Sequence, residues 1–459
     1  MYIRITTLDR AGLTAKVLLS STYFVLSALA SGSVHAQVPS SLDTAWADAE
    51  VIELGQPQNQ TSTFAELPQM QSAETMSLAQ LEARLKSHPS LEANDYSAAA
   101  DRLRAESALA LPDPVVSLQL NNVPLLDPSF SEYLPSNKAV GIRQALPSRS
   151  ERKANSLKSL RQADKSDLST QEDYARMRGR VFALIKARAY LLEERSLIKA
   201  RLNKYDELKE IIDIEISSGR PLLYRIAQVD IERADAERAL SETLQNIRII
   251  DAELTNWIGV VPNVDLPKIT KIPLTGNALQ FYGVRVADAT VEVRDADVQK
   301  AEADFKPDWG VNLTYQQRES GQGPRSNFDG EDWVSGGVSF TIPLWAGKRQ
   351  APNLQAAKSD RQAAISQRTA LARKLQSDWM QYEAMRRASV ENIQILEQKI
   401  TALGQQADAQ LIQYESGSGD YSPLIDAEIA KLTLETQITK EASRRDQMIL
   451  MMNSLVVTP

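Results

Sequence analysis

The sequence predicts a mainly α-helical protein that carries a membrane β-barrel segment. Three observations lead there: a long internal repeat, four short alternating strands, and two helices of unusual length. Pro112, Asp113, Pro114, Val115, Val116, Ser117 and Leu118 return as Pro307, Asp308, Trp309, Gly310, Val311, Asn312 and Leu313, an offset of 195 residues. Val140, Ile142, Leu146, Arg152 and Ala154 return as Val338, Phe340, Leu344, Arg349 and Ala351, and Ser218 and Gly219 as Ser416 and Gly417, at offsets of 197 to 198. A period this long is a duplicated half-domain rather than a short solenoid unit.

The chain begins with Arg4, Arg10 and Lys16 ahead of an apolar run from Val17 to Ala30, then Val34, His35 and Ala36 as a small-x-small site. This is the pattern of a secretory signal peptide over 1–36. A run of about fourteen residues is short of the roughly 20 that a spanning helix needs. Loss of the segment takes the formal charge from -7 to -9, and so acidic a chain is a poor match for nucleic acid. There is no cysteine. That excludes disulfides, thiolate metal sites and an N-terminal lipid anchor through cysteine. His88 is the single histidine of the expected mature chain, so no nucleophile and base pairing presents itself; the chain is not expected to be an enzyme or to hold a cofactor.

Residues 37–75, rich in Gln, Ser, Thr and Pro, read as an extended lead-in. A first repeat is expected over 76–260, a linker over 261–280 and a second repeat over 281–457. Each repeat opens with a helix and then a hairpin, with strands near 113–122, 138–146, 308–317 and 333–342. Val116, Leu118 and Leu120 alternate with Ser117, Gln119 and Asn121; Trp309, Val311, Leu313 and Tyr315 alternate with Gly310, Asn312, Thr314 and Gln316. Val334, Val338, Phe340 and Ile342 oppose Ser335, Gly337, Ser339 and Thr341, whereas Arg143 and Gln144 blur the second strand. Such alternation also suits a half-buried soluble sheet. The lengths, the small or amide-bearing polar faces, and aromatic residues at both ends (Trp309 and Trp345; Phe130, Tyr133 and Trp333) favour a barrel wall with aromatic girdles. Four strands cannot close a barrel and lipid admits no open edge, so the chain must oligomerise.

After each hairpin comes a rod. Between Ser148 and Ser218 there is no proline and one glycine, Gly179; about 71 helical residues would span roughly 105 Å. Tyr174, Met177, Val181, Leu184, Leu191, Ile198, Leu202, Tyr205 and Ile212 recur mostly at spacings of 3, 4 or 7, a coiled-coil-like seam. The second rod, Lys348 to Ser416, admits only Pro352 in its first turns, where proline is tolerated. Pro112, Pro147, Pro307 and Pro343 stand where helix and strand must exchange, and are expected to act as swivels.

The duplicated plan, Pro89 and Leu91, Leu111 to Pro114, and Ile342, Pro343 and Leu344 followed by Gly347, Lys348 and Arg349 resemble the TolC family of outer-membrane efflux proteins. The likeness runs from about Met76 to Val457. It implies a homotrimer in which four strands per chain build one 12-stranded barrel in the cell outer membrane, and the helices form a periplasmic α-barrel tunnel. A periplasmic adaptor and an inner-membrane pump, of the RND type, would be the partners. The resemblance makes the turns at Gly219 and Gly417 the periplasmic tips, with Pro221, Leu222, Leu223, Pro423 and Leu424 as adaptor-docking residues or as packing between hairpins. It implies a gate among Tyr414, Asp426, Asp420 and Arg225. Arg225 and Gly419 depart from the family pattern, and Tyr414 and Asp426 could instead bond locally at the turn. The glycine, lysine and arginine element resembles outer-membrane components of heavy-metal exporters, so the expected cargo is heavy-metal cations; multidrug efflux and type I protein secretion are the alternatives. Met448, Met451 and Met452 at helical spacing read as packing.

Overall fold

The computed structural model describes residues 73–126, 128–219, 223–323 and 326–457. The expected signal peptide and nearly all of the lead-in lie outside them. In chain order the elements are β1 (Glu74–Thr75), α1 (Leu78–Lys86), α2 (Pro89–Ser107), β2 (Val115–Asn121), β3 (Asn137–Leu146), α3 (Arg149–Ser217) and α4 (Leu223–Ile258). There follow β4 (Pro262–Asn263), a 3-10 turn (Ala278–Gln280), α5 (Tyr282–Ala303), β5 (Trp309–Gln317), β6 (Gly321–Gly323), β7 (Ser326–Phe328), β8 (Trp333–Phe340), α6 (Gln350–Glu415) and α7 (Ser422–Leu455). The order α2, β2, β3, α3, α4 thus recurs as α5, β5, β8, α6, α7.

Local chemistry sets the helix ends. Ser77 and Gln80 form a reciprocal capping box at α1, satisfying two orphan donors. Pro147 stops β3, and the Ser148 hydroxyl then accepts the Glu151 N–H at 3.1 Å to start α3. α3 has 69 residues and α6 has 66, each a rod of about 100 Å.

β2, β3, β5 and β8 form one antiparallel sheet in that order. Its register places Leu118, Val140, Tyr315 and Val334 in one row, and Ser117, Gly141, Thr314 and Ser335 in the next. Residues in successive rows point to opposite faces, so one face is mostly apolar, with Lys138, Gln144 and Gln317 as its polar members, and the other is mostly small and polar. The blurred strand is thereby resolved. Arg143 falls on the polar face opposite Asn312, and Gln144 on the apolar face, where its Nε2 donates to the Pro112 carbonyl at 2.7 Å. Trp333 is a correction to the girdle. The register places it in the polar-face row of Gln119, Ala139 and Gln316, with the Arg318 guanidinium 3.9 Å from its ring centroid.

The polar face is also the crowded one. A Cβ added at Gly141 would lie 2.8 Å from Ser117 Oγ, one at Gly310 2.8 Å from Ser339 Oγ, and one at Gly337 2.7 Å from Asn312 Oδ1. Curling a sheet brings the side chains of its concave face together, so glycine collects there. Gly141→Val is expected to cost about 1–3 kcal/mol through overpacking, seen as a lower melting temperature of the detergent-solubilised protein; an unchanged melt would contradict a tight concave face.

The helices continue the strand order. On the strand side α2 packs on α3, α3 on α5, and α5 on α6; toward the turns α4 packs on α3, α3 on α7, and α7 on α6. One lateral edge is therefore β2, α2 and α4, and the other is β8 and α6. Of the expected seam, Met177, Val181, Leu184, Ile198, Tyr205 and Ile212 are buried. The seam also carries polar locks. Buried Glu194 accepts from Lys440 Nζ at 3.1 Å and Thr243 Oγ1 at 3.2 Å. The Tyr190 hydroxyl donates to Asp446 at 2.8 Å, and burial followed by that hydrogen bond pushes the phenol up to about 12.

Residues 261–280 follow a defined path on the helices. β4 pairs in parallel with β1, Ile272 N–H donates to Asn453 Oδ1 at 2.9 Å, and Asn453 Nδ2 donates to the Thr270 carbonyl at 2.8 Å. Lys271 then joins Arg386 and Arg387 around the buried carboxylate of Glu383 at 2.8–3.2 Å. These four charges clamp the segment to the middle of α6. Among the described residues no helix is long and apolar enough to cross a membrane.

Candidate functional site

At the turn end, α6 closes in a Schellman motif. Gly417 N–H donates to the Tyr414 carbonyl at 2.9 Å and Ser418 N–H to the Gln413 carbonyl at 3.0 Å, with Gly417 at φ +71°. The matching position after α3 is Gly219, at φ +96°, its N–H bonded to the Ile216 carbonyl at 2.9 Å. Both backbones need the left-handed region that glycine enters without strain. Pro221 and Leu222 lie outside the described residues. Leu223 and Tyr224 are the exposed apolar side chains of the first turn, whereas Pro423 and Leu424 are half-buried and Ile425 is fully buried. At the second turn the exposed apolar side chains, Leu411, Ile412 and Tyr414, lie on the end of α6 instead. The apolar residues after that turn mostly serve packing against Leu208, Ile212 and Val229.

The structure brings Tyr414 and Asp420 together but sets Asp426 apart from them. Tyr414 meets Tyr421 edge-on at 5.1 Å, and both line a groove of about 300 Å³ with Ile211, Ile214, Gly419 and Asp420. Gly419 permits this close turn, since a Cβ there would stand 3.0 Å from Gln413 Cβ. Asp426 belongs to a different arrangement. Its two carboxylate oxygens are 2.5 Å from Arg225 Nη2, joining the start of α4 to the start of α7. Arg225, which departs from the family pattern, is the partner of Asp426 within one chain. Burial raises the Asp426 carboxyl above its ordinary range, with Glu232 adding to the effect and Arg225 opposing it.

The four prolines sit at the strand–helix exchanges. Pro112 precedes β2 and Pro307 precedes β5; Pro147 is followed at once by α3, while residues 341–349 make a longer run of turns around Pro343 before α6. Near Pro307 and Pro343, Asp308 accepts the Ser148 N–H at 2.9 Å and its own N–H donates to Thr341 Oγ1 at 2.9 Å. This ties both hairpins together at their base. Burial, then Asp308 and Asp304, push the neighbouring Glu151 carboxyl up. Sequence reasoning missed the Glu383 clamp and the Arg225–Asp426 pair. The partners lie 112 and 201 residues apart, and no spacing rule reaches that far.

Residues 283–451 match the family described as outer membrane efflux protein. No curated protein matches the chain by sequence. Among solved structures it resembles the outer membrane protein VceC of Vibrio cholerae at 16% identity and TM-score 0.66, covering 83% of this chain and 96% of that one. It is also similar to the MtrE outer membrane channel of Neisseria gonorrhoeae, captured in an open state, at 17% identity and TM-score 0.67, over 82% and 88% of the two chains. CusC, described for transmembrane channel formation, aligns at 12% identity and TM-score 0.67 over 82% and 91%. The fold is that of these outer membrane channels, and the second half of the chain carries the outer membrane efflux protein pattern.

Proposed function

We propose that three copies of this chain form a passive exit duct through the outer membrane. A periplasmic adaptor and an inner-membrane pump of the RND type load it, and it carries out no chemistry of its own. The observation that carries the reading is the pair of open edges. β2 and β8 each have an unpaired side, and the sheet's apolar face is exposed along all four strands. An exposed apolar sheet with two free edges is stable in lipid only when copies pair edge to edge and close. α2 and α4 on one flank and α6 on the other then continue the closure into a helical tunnel, with Ile231, Met380 and Ile412 among the exposed apolar residues available to cover. The first tip, with exposed Leu223 and Tyr224, and the Tyr414 groove are the adaptor-facing surfaces. The Arg225–Asp426 pair holds the periplasmic end closed. The four prolines are the swivels between barrel and tunnel.

Heavy-metal cations are the proposed cargo, on the likeness of the Gly347, Lys348 and Arg349 element to the exporters of that class. A strain lacking the chain, grown on graded copper, zinc, cobalt, cadmium and silver and on detergents and dyes, tests it. Sensitivity confined to metals and restored by the intact gene is expected. Sensitivity to amphiphiles alone would move the cargo to multidrug efflux, and a growth phenotype on neither would favour protein secretion.

A further inference from the structure

The polar face of the four-stranded sheet carries one charged side chain among the strand residues, Arg143. Its row neighbours are Val115, Asn312 and Gly337, and the rows above bring only Ser117, Gln119, Thr314, Gln316 and similar uncharged groups. Arg143 is exposed and, among the described residues, forms no ion pair or hydrogen bond. The acidic residues nearby along the chain stand beyond the strand ends. Asp113 precedes β2, and Asp308 precedes β5 with its carboxylate already bonded to the Ser148 N–H. At the far end of β5, Arg318 is stacked over Trp333 of the polar face, adding positive charge rather than balancing it.

We infer that Arg143 is the charge filter of the barrel: three copies form a ring of guanidinium groups in its lumen that favours anions over free cations. The inference rests on the trimeric duct proposed above and goes beyond it by assigning the barrel its own selectivity. Twelve strands about 4.8 Å apart and tilted by about 40° enclose a backbone radius of about 12 Å. An extended arginine side chain spans about half of that radius. Each guanidinium then lies within one Debye length of the axis, about 8 Å at physiological salt, so the three fields overlap across the whole opening. Rings of Arg or Lys are the means by which pores select anions and phosphates. Cationic cargo would have to leave through this section as neutral or anionic complexes, or in company with anions.

The test uses the full mature chain in planar bilayers at low ionic strength, carrying Arg225→Ala so that the tip does not limit the current. Reversal potentials in a KCl gradient give the chloride-to-potassium permeability ratio. Arg143→Gln is expected to lower that ratio roughly threefold or more, Arg143→Lys to keep it, and high salt to erase the difference. Because the chain has no cysteine, Arg143→Cys supplies a single thiol for water-soluble methanethiosulfonates. A cationic reagent should restore the anion preference and an anionic one reverse it. Normal channels whose permeability ratio is the same with Arg143→Gln, or an introduced thiol that stays unreacted in current-carrying Arg143→Cys channels, would overturn the filter while leaving the duct intact. Absence of channels from every variant and from the wild type would overturn both.

Discussion

Arg225→Ala is expected to raise the conductance of the reconstituted channel by roughly tenfold, because it removes the one charge that holds Asp426. Both carboxylate oxygens sit 2.5 Å from the same guanidinium nitrogen, and the arginine side chain is only 20% exposed. Without it, a partly buried carboxylate faces the Glu232 carboxylate with no compensating charge. The cheapest relief is for the start of α7 to move away from the start of α4 and hydrate. Asp426→Asn should open the tip less, since it removes the repulsion together with the attraction. The double variant should resemble Asp426→Asn rather than the sum of the two, which is the signature of a directly coupled pair. The pH dependence has a definite sign. Burial raises the Asp426 carboxyl, so it takes up a proton at a less acidic pH than an ordinary aspartate, and the ion pair is lost as pH falls through that raised value. Conductance should rise on acidification in the wild type, and this rise should vanish in Asp426→Asn. Equal conductance in all three variants would remove the pair from the gate.

Glu383→Ala is expected to destabilise the middle of the tunnel by about 3 kcal/mol. The carboxylate is 9% exposed and is bonded by Arg386, Arg387 and Lys271. These partners, Arg386 first, outweigh desolvation and hold its carboxyl at about 2 against an ordinary 4.5. A folded-state pKa below the unfolded one means stability that is complete above about 4.5 and is lost as pH falls toward about 2. Deleting the carboxylate leaves three cations facing one another and releases Lys271, hence the 261–280 segment. Hydrogen exchange should report it locally, with amides of residues 268–281 losing protection while those of the α3–α7 seam keep theirs. Uniform loss along the chain would mean that the clamp is not local.

Much of the architecture is legible in the sequence because it is written in short-range patterns. The strands announce themselves by period-two alternation, the rods by the absence of proline and the spacing of Val181, Leu184, Ile198, Tyr205 and Ile212, and the tips by Gly219 and Gly417. What stays hidden depends on register or on long-range pairing. Arg143 and Gln144 blur the alternation of β3, and only pairing with β5 shows that one side chain belongs to each face. Trp333 fits a girdle by position along the chain and leaves it once β8 is paired with β5. Pro262, Pro267, Pro273 and Gly276 make 261–280 read as a linker, yet Asn453 and Glu383, far along the chain, fasten it in place. Arg225 looks anomalous against the family pattern until α4 and α7 are set side by side, which puts it against Asp426.

Closure of three chains edge to edge is the claim on which the rest depends, and the absence of cysteine makes it directly measurable. One cysteine is placed in β2, at Ser117, and one in turn at Ser335, Gly337 or Ser339 of β8, followed by mild oxidation of the protein in outer-membrane vesicles. Within one chain β3 and β5 stand between these strands, so a disulfide can form only between copies. The account predicts covalent dimers and trimers from at least one pairing, with the ladder ending at three. A protein that stays monomeric at every pairing, or a ladder that runs on past three, would contradict it.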